Sequence, residues 1–435
     1  MVKPSSKVIL LVFTVLNISL ISYSQRYLSD LDSTLLYIKD SVRPVLKRFE
    51  NLQFTGYIQP QFQLADTEGV KSYSGGDFPP FSKSRFMLRR ARIKLDYLLT
   101  TKDRYPKALF SFQVDATERG VNVRDMFMRL YETRRHNFYF TAGLFARPFG
   151  YEVNLSSAYR ETPERGRMSQ ILMPTERDIG AMVTYEPISK QAKNRFIKLD
   201  MGAFNGQGLS GTMDFDSRKD LITRLTVKPL SLKKFLVSGG LSLLHGGWRQ
   251  GTKYVNEIGT VNGNKTFIVD SSLSNVGKNS PRRYYGMDIQ FVLKHSWGQT
   301  EWRAEYWKGK QPGTANSTTN PGVLPTTPTY RRDFDGAFFY FLQNIINTQH
   351  QLLLKYDWYD PNVKVSEKEI GKANTNLTAA DIKYSTLGVG YAYYFNDHVK
   401  LILYYEFVRN ELTQLTNYAF DQKDNVFTCR LQFRF

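Results

Sequence analysis

The sequence predicts an all-β chain: a transmembrane antiparallel β-barrel of about sixteen strands with a short helical segment before it. Three observations carry this expectation. From residue 51 onward, apolar residues recur at every second position in segments of about ten residues, the length a tilted strand needs to cross a bilayer. Long and short connections between those segments alternate along the chain. Phe, Trp and Tyr make up 14% of the 435 residues, which suits half-buried pleated surfaces better than helices.

The elements follow in chain order. Lys3 and Lys7 precede the apolar run Val8–Leu16, and Ser22-Tyr23-Ser24 sets small residues before Gln25. This is the pattern of a secretory signal peptide over 1–24. No cysteine lies at the cut, so a lipoprotein anchor is excluded, and the lone Cys429 fits an oxidising compartment. Over 25–50 the period changes. Leu28, Leu31, Leu35, Ile38, Val42, Val45 and Phe49 form an a/d seam, interrupted by Pro44. The seam fits either an amphipathic helix packed on the body or a short periplasmic coiled coil that associates subunits.

The barrel, 51–435, reads with period two. In 86–97, Ala91, Ile93, Leu95 and Tyr97 share one face while Arg90, Arg92, Lys94 and Asp96 share the other. The chain ends with Phe427, Cys429, Leu431, Phe433 and Phe435 opposite Thr428, Arg430, Gln432 and Arg434. Strands are expected near 52–63, 85–99, 107–116, 122–132, 137–145, 178–187, 195–205, 218–229, 234–245, 283–295, 298–308, 333–343, 348–358, 383–395, 398–409 and 424–435. An even number permits closure, and lipid forces it, because unpaired backbone groups there cost several kcal/mol each. The connections 64–84, 146–177, 206–217, 246–282, 309–332, 359–382 and 410–423 are long and the intervening ones short; only 117–121 is short in a long position. Short periplasmic turns and long outer loops are the pattern of the bacterial outer membrane. A barrel this wide leaves an aqueous channel. The terminal Phe435 resembles the signal by which outer-membrane barrels are delivered to their assembly machinery.

Charge and composition narrow the function. Lys and Arg number 59 against 40 Asp and Glu, a net charge of +19. The basic blocks are short and sit on no evident helix, which argues against nucleic acid as partner; loops facing anionic lipopolysaccharide account for part of the excess. His136, His245, His295, His350 and His398 are scattered, and one cysteine permits no multi-cysteine metal site. A barrel enzyme would need a nucleophile–base pair near the rim, and no Gly-x-Ser-x-Gly elbow occurs.

The pore chemistry is expected in the connection 146–177, which follows the fifth strand, the position at which sixteen-stranded porins generally fold a loop inward. It carries Arg147, Arg160, Arg165, Arg167 and Arg177 among Glu152, Glu161, Glu164 and Glu176. One reading is a constriction whose guanidinium groups coordinate anions through their planar fork of donors. The other is a polar loop whose Arg–Glu pairs merely fix its shape. Strand parity adds lumen-facing Arg90, Arg92, Lys94, Arg129, Lys198, Arg224, Lys228, Arg303, Lys355, Lys400, Arg430 and Arg434. The same faces carry Asp96, Asp115, Asp125, Asp200, Asp288, Glu301, Glu305, Asp357 and Glu406.

Phe86-Met-Leu-Arg-Arg-Ala-Arg92, Phe112-Gln-Val-Asp115, Gly143-Leu-Phe-Ala-Arg-Pro-Phe-Gly150, Ser156-Ser157, Glu164-Arg165 and Arg177-Asp-Ile-Gly180 together resemble the phosphate-selective porin O and P family. The resemblance implies a homotrimeric, sixteen-stranded outer-membrane channel for anions with arginines along its lumen, here Arg90, Arg92 and Arg147. The expectation is therefore a passive, cofactor-free porin for small anions such as phosphate or polyphosphate. Its rival is a structural or adhesive surface barrel using 246–282 and 309–332 as solvated binding loops.

Overall fold

A computed structural model describes residues 51–189, 192–211 and 213–435. The expected signal peptide and the heptad seam lie outside the described residues. Among the described residues there are eighteen strands: β1 Leu52–Ala65, β2 Ser84–Thr100, β3 Pro106–Thr117, β4 Gly120–Tyr131, β5 Phe138–Ala146, β6 Arg177–Tyr185, β7 Ile197–Phe204, β8 Asp220–Leu232, β9 Phe235–Arg249, β10 Val255–Val261, β11 Asn264–Asp270, β12 Asn279–His295, β13 Gly298–Gly313, β14 Thr329–Ile345, β15 His350–Asp360, β16 Tyr384–Tyr394, β17 Val399–Asn410 and β18 Val426–Arg434. Sixteen of these form the barrel wall. Each pairs antiparallel with its neighbours, β9 pairs directly with β12, and β18 closes the ring on β1 from Tyr57↔Arg434 to Ala65↔Val426. All sixteen correspond to segments expected from the alternation, although β12, β13 and β14 run several residues further above the membrane.

The remaining two strands correct the expectation that 246–282 is a plain solvated loop. β10 and β11 form a hairpin through Asn262 and Gly263, both at positive φ (49° and 79°). A two-residue Asn-Gly link is what a type I′ turn requires. The hairpin lies parallel to the outer end of β14, Val255–Glu257 against Thr329–Arg331. Phe267 packs there with Ile370, Leu377 and Ile382 of the 361–383 connection.

The packing is inverted relative to a water-soluble sheet. On β12, Tyr285, Met287 and Ile289 are more than half exposed, whereas Arg282, Asp288 and Gln290 on the alternate face are buried. The same inversion repeats around the wall, with Phe54, Ile58, Ile93, Leu241, Leu354 and Leu431 outside and Gln59, Arg92, Ser242, Lys355 and Arg430 inside. Such a belt is stable only against hydrocarbon, so the barrel spans a membrane, and closed barrels of this kind occupy the bacterial outer membrane. The first and last strands of the barrel meet at one rim, where Gly56 and Phe435 exchange backbone hydrogen bonds of 3.1 and 3.0 Å. That rim also holds the short turns and is the periplasmic one.

Among the described strands the register shifts at four places, and two of these shifts bear on arginines. At Gln59/Pro60 the pairing skips Arg89, and at Gln113/Val114 it skips Arg124. Pro60, with no N–H to give, sits at the first of them. A bulged residue leaves the ladder and its side chain is re-aimed.

Candidate functional site

The connection 147–176 folds into the barrel rather than out over the rim. Its neck is the turn Arg147–Gly150. Gly150 has φ +69° and lies where a Cβ would meet Glu305 at 2.2 Å and the Trp307 ring at 2.7 Å, so only glycine fits. Its N–H donates to Ser242 Oγ at 3.0 Å, and the N–H groups of Tyr151 and Glu152 each donate to the Glu305 carboxylate at 2.9 Å. Trp307 Nε1 donates to the same carboxylate at 2.5 Å. Arg147 donates to the carbonyl of Thr175, joining the two ends of the loop.

Inside the lumen the loop turns once as the short helix α1, Arg167–Leu172. Two apolar clusters hold it. Phe149, Val153, Met168 and Leu172 pack against Phe204, Ile222, Tyr284, Trp307 and Phe334, while Tyr151 and Leu155 pack against Tyr340, Leu353 and Tyr404. Its main pin is Glu152, 1% exposed. This carboxylate accepts from the Gly166 N–H at 3.0 and 2.9 Å, Ser169 Oγ at 2.7 Å, Tyr340 OH at 2.7 Å and Lys355 Nζ at 3.2 Å. Burial pushes its pKa up, but Lys355, Arg160 and the two hydroxyl donors outweigh burial and hold it at about 2.

The candidate arginines divide by environment. Arg90 grips Glu164 at 2.6 and 3.1 Å; Arg89 grips it at 2.8 and 3.1 Å, and Arg430 at 2.8 Å. Arg92 pairs with Asp115 at 2.8 Å, which Arg124 also approaches at 3.9 Å. Arg124 bonds Glu176 at 2.6 Å; Arg165 and Arg177 reach that carboxylate at 3.5 and 3.6 Å, and Arg177 also pairs with Asp125 at 3.0 Å. Although burial opposes their charge, the surrounding guanidinium groups hold both Glu164 and Glu176 well below the usual carboxylate range. Seven guanidinium groups thus meet four carboxylates on the wall made by β2, β3, β4 and β18. The opposite wall leans the other way: Arg303 is shared by Glu161 and Glu301, and Lys355 by Glu152 and Asp357.

The other candidates stand apart from this network. Lys94 pairs with Asp96 at 2.7 Å. Arg129 sits toward the periplasmic side, donating to Thr141 and lying 4.4 Å over the Tyr139 ring. Arg160 donates to the Leu155 carbonyl within its own loop. Arg167 is sandwiched between the rings of Tyr384 and Tyr73, at 3.6 and 4.6 Å, beside a small cavity also lined by Lys71, Arg165, Asp357, Glu406 and Asp424. Of the candidate arginines, Arg90, Arg92, Arg165 and Arg177 each already hold a carboxylate. Arg89 and Arg124 are members that strand parity misses, because a bulge turns each inward.

No protein-family model matches the chain, and no curated protein matches it. Solved structures do. OprB of Pseudomonas putida aligns with TM-score 0.57 at 9% identity, over 88% of this chain and 94% of its own. The outer membrane channel DcaP of Acinetobacter baumannii aligns with TM-score 0.52 at 12% identity, over 88% and 97%. An anion-selective porin from Comamonas acidovorans aligns with TM-score 0.51 at 11% identity, over 88% and 99%. The chain therefore has the closed, sixteen-stranded fold of outer-membrane porins.

Proposed function

We propose that this barrel is a passive porin that favours small anions, phosphate and polyphosphate among them. The observation that carries the reading is the excess of guanidinium groups over carboxylates where the inward loop meets β2–β4 and β18. A fixed positive potential in a narrow, low-dielectric passage concentrates anions. Because each carboxylate neutralises part of that charge, an anion is drawn in without being trapped, as conduction requires. The likeness to an anion-selective porin and the sequence resemblance to phosphate-selective porins support this reading. Homotrimeric assembly belongs to the proposal and is tested by the mass of the complex in mild detergent.

The test is single-channel recording in a planar bilayer under a salt gradient. The expected reversal potential is that of an anion-preferring pore, moved toward cations by Arg89→Gln with Arg124→Gln. Phosphate should reduce chloride current, and Arg167→Ala should weaken that block. Cation preference in the unaltered protein would refute the proposal. One observation favours a second reading: the inward loop is bonded to strands on opposite sides of the lumen, from Tyr57 of β1 and Arg90 of β2 to Ser242 of β9 and Glu305 of β13. A folded barrel that never conducts would make the protein a structural or adhesive barrel with a stoppered lumen.

A further inference from the structure

On the outer face of the barrel, Arg283 of β12 stands directly opposite Lys310 of β13 on one side and His245 of β9 on the other. One step toward the membrane centre, Tyr285 lies between Lys308 and Leu243. All of these side chains are exposed, and they sit at the extracellular end of the strands. The acids nearest in register are already engaged: Asp333 by Lys364 at 2.6 Å, and Asp335 by Tyr306 OH and Trp358 Nε1 at 3.3 and 3.2 Å. Among the described residues Arg283, Lys308 and Lys310 form no ion pair, although Lys308 and Lys310 stand opposite Asp335 and Asp333 of β14 in register.

Like charges directly opposite on a sheet destabilise it, and their Cβ atoms are only about 5 Å apart. An anion bridging the two converts that repulsion into two charge-assisted hydrogen bonds. Immediately below the row, Leu241, Leu243, Met287 and Ile289 are each more than half exposed and offer an apolar field. We propose that this row binds a phosphate of an outer-leaflet glycolipid whose acyl chains lie along that field. Both halves of the ligand are specified: a phosphate at the height of Arg283 and hydrocarbon directly beneath it. A small free anion would use only the first. The site is independent of whatever passes through the lumen.

The test titrates the full-length barrel in mild detergent with bis-phosphorylated lipid A, read by native mass spectrometry. Arg283→Gln with Lys310→Gln is expected to weaken binding at least about tenfold. Arg409→Gln, which removes an exposed cation at the same end of β17, is expected to leave it unchanged. Lipid A stripped of phosphate should bind weakly, and excess inorganic phosphate should fail to displace the intact lipid. Wild-type affinity in the double variant, equal loss in Arg409→Gln, equal binding of the stripped lipid or displacement by inorganic phosphate would each overturn the site. Should the double variant not fold, Lys308→Gln with Lys310→Gln reads the same row.

Discussion

Replacing Glu152 with Gln tests whether the inward loop is held by one buried carboxylate. The substitution keeps the shape and one acceptor for the Gly166 N–H but removes the charge that Lys355 and Arg160 face. Held at about 2 instead of 4.5, the carboxylate contributes ~3 kcal/mol to the packed loop at neutral pH, at about 1.36 kcal/mol per pH unit. That agrees with the roughly 3–5 kcal/mol lost when a buried ion pair is broken on one side. Hydrogen exchange at the Gly166 amide, measured in the folded, lipid-embedded barrel, should accelerate by roughly a hundredfold. The folded pKa lies below the unfolded one, so the contribution is complete above about 4.5 and disappears as pH falls toward about 2. Wild-type protection should decay across that window, and the Gln variant should show a flatter profile. Exchange within threefold of wild type in Glu152→Gln at neutral pH would refute the reasoning.

Three further outcomes follow from the packing. Gly150→Ala must leave positive φ or displace Glu305 and Trp307, and should loosen the loop neck by about 1–3 kcal/mol, read as faster proteolysis between 150 and 175 with the barrel intact. Ile289→Arg puts a charge on the lipid face and should cost about 2–4 kcal/mol, measured by denaturant refolding into lipid vesicles; no loss would place that face outside hydrocarbon. Deleting Phe435 removes both backbone bonds to Gly56 that finish the β1–β18 seam, and should lower the folded fraction on unheated gels. An unchanged folded fraction would show that the seam closes without them.

The wall was legible because the lumen–lipid boundary imposes one rule on every strand: side chains two apart share a solvent. Segments such as 90–97 and 424–435 obey it without interruption. The rule fails where the pleat is broken. Arg89 and Arg124 are invisible to parity because each is the additional residue of a bulge, and nothing local to Arg-Arg or Val-Arg-Asp announces one. The β10–β11 hairpin carried a readable signal, Val261-Asn262-Gly263-Asn264, hidden in a stretch whose polar composition suggested only solvent. At the inward loop, the guanidinium and carboxylate groups could be named from sequence, but their pairing could not. Arg165 belongs with Glu176 and Arg90 with Glu164 because the loop runs back across the lumen, a three-dimensional fact with no trace in residue spacing.

The neck of the inward loop is gripped through atoms that every residue possesses. Glu305 accepts from the main-chain N–H groups of residues 151 and 152, not from their side chains. The hook itself is blind to the side chains at those two positions and needs only Gly150 and the wall residues Glu305 and Trp307, while the Glu152 carboxylate pins the loop separately, deeper in the lumen. Such a mount separates the inheritance of the scaffold from that of the chemistry it displays. Lineages of this barrel that keep both fastenings can retune what the rest of the loop presents to the channel while its position stays constant.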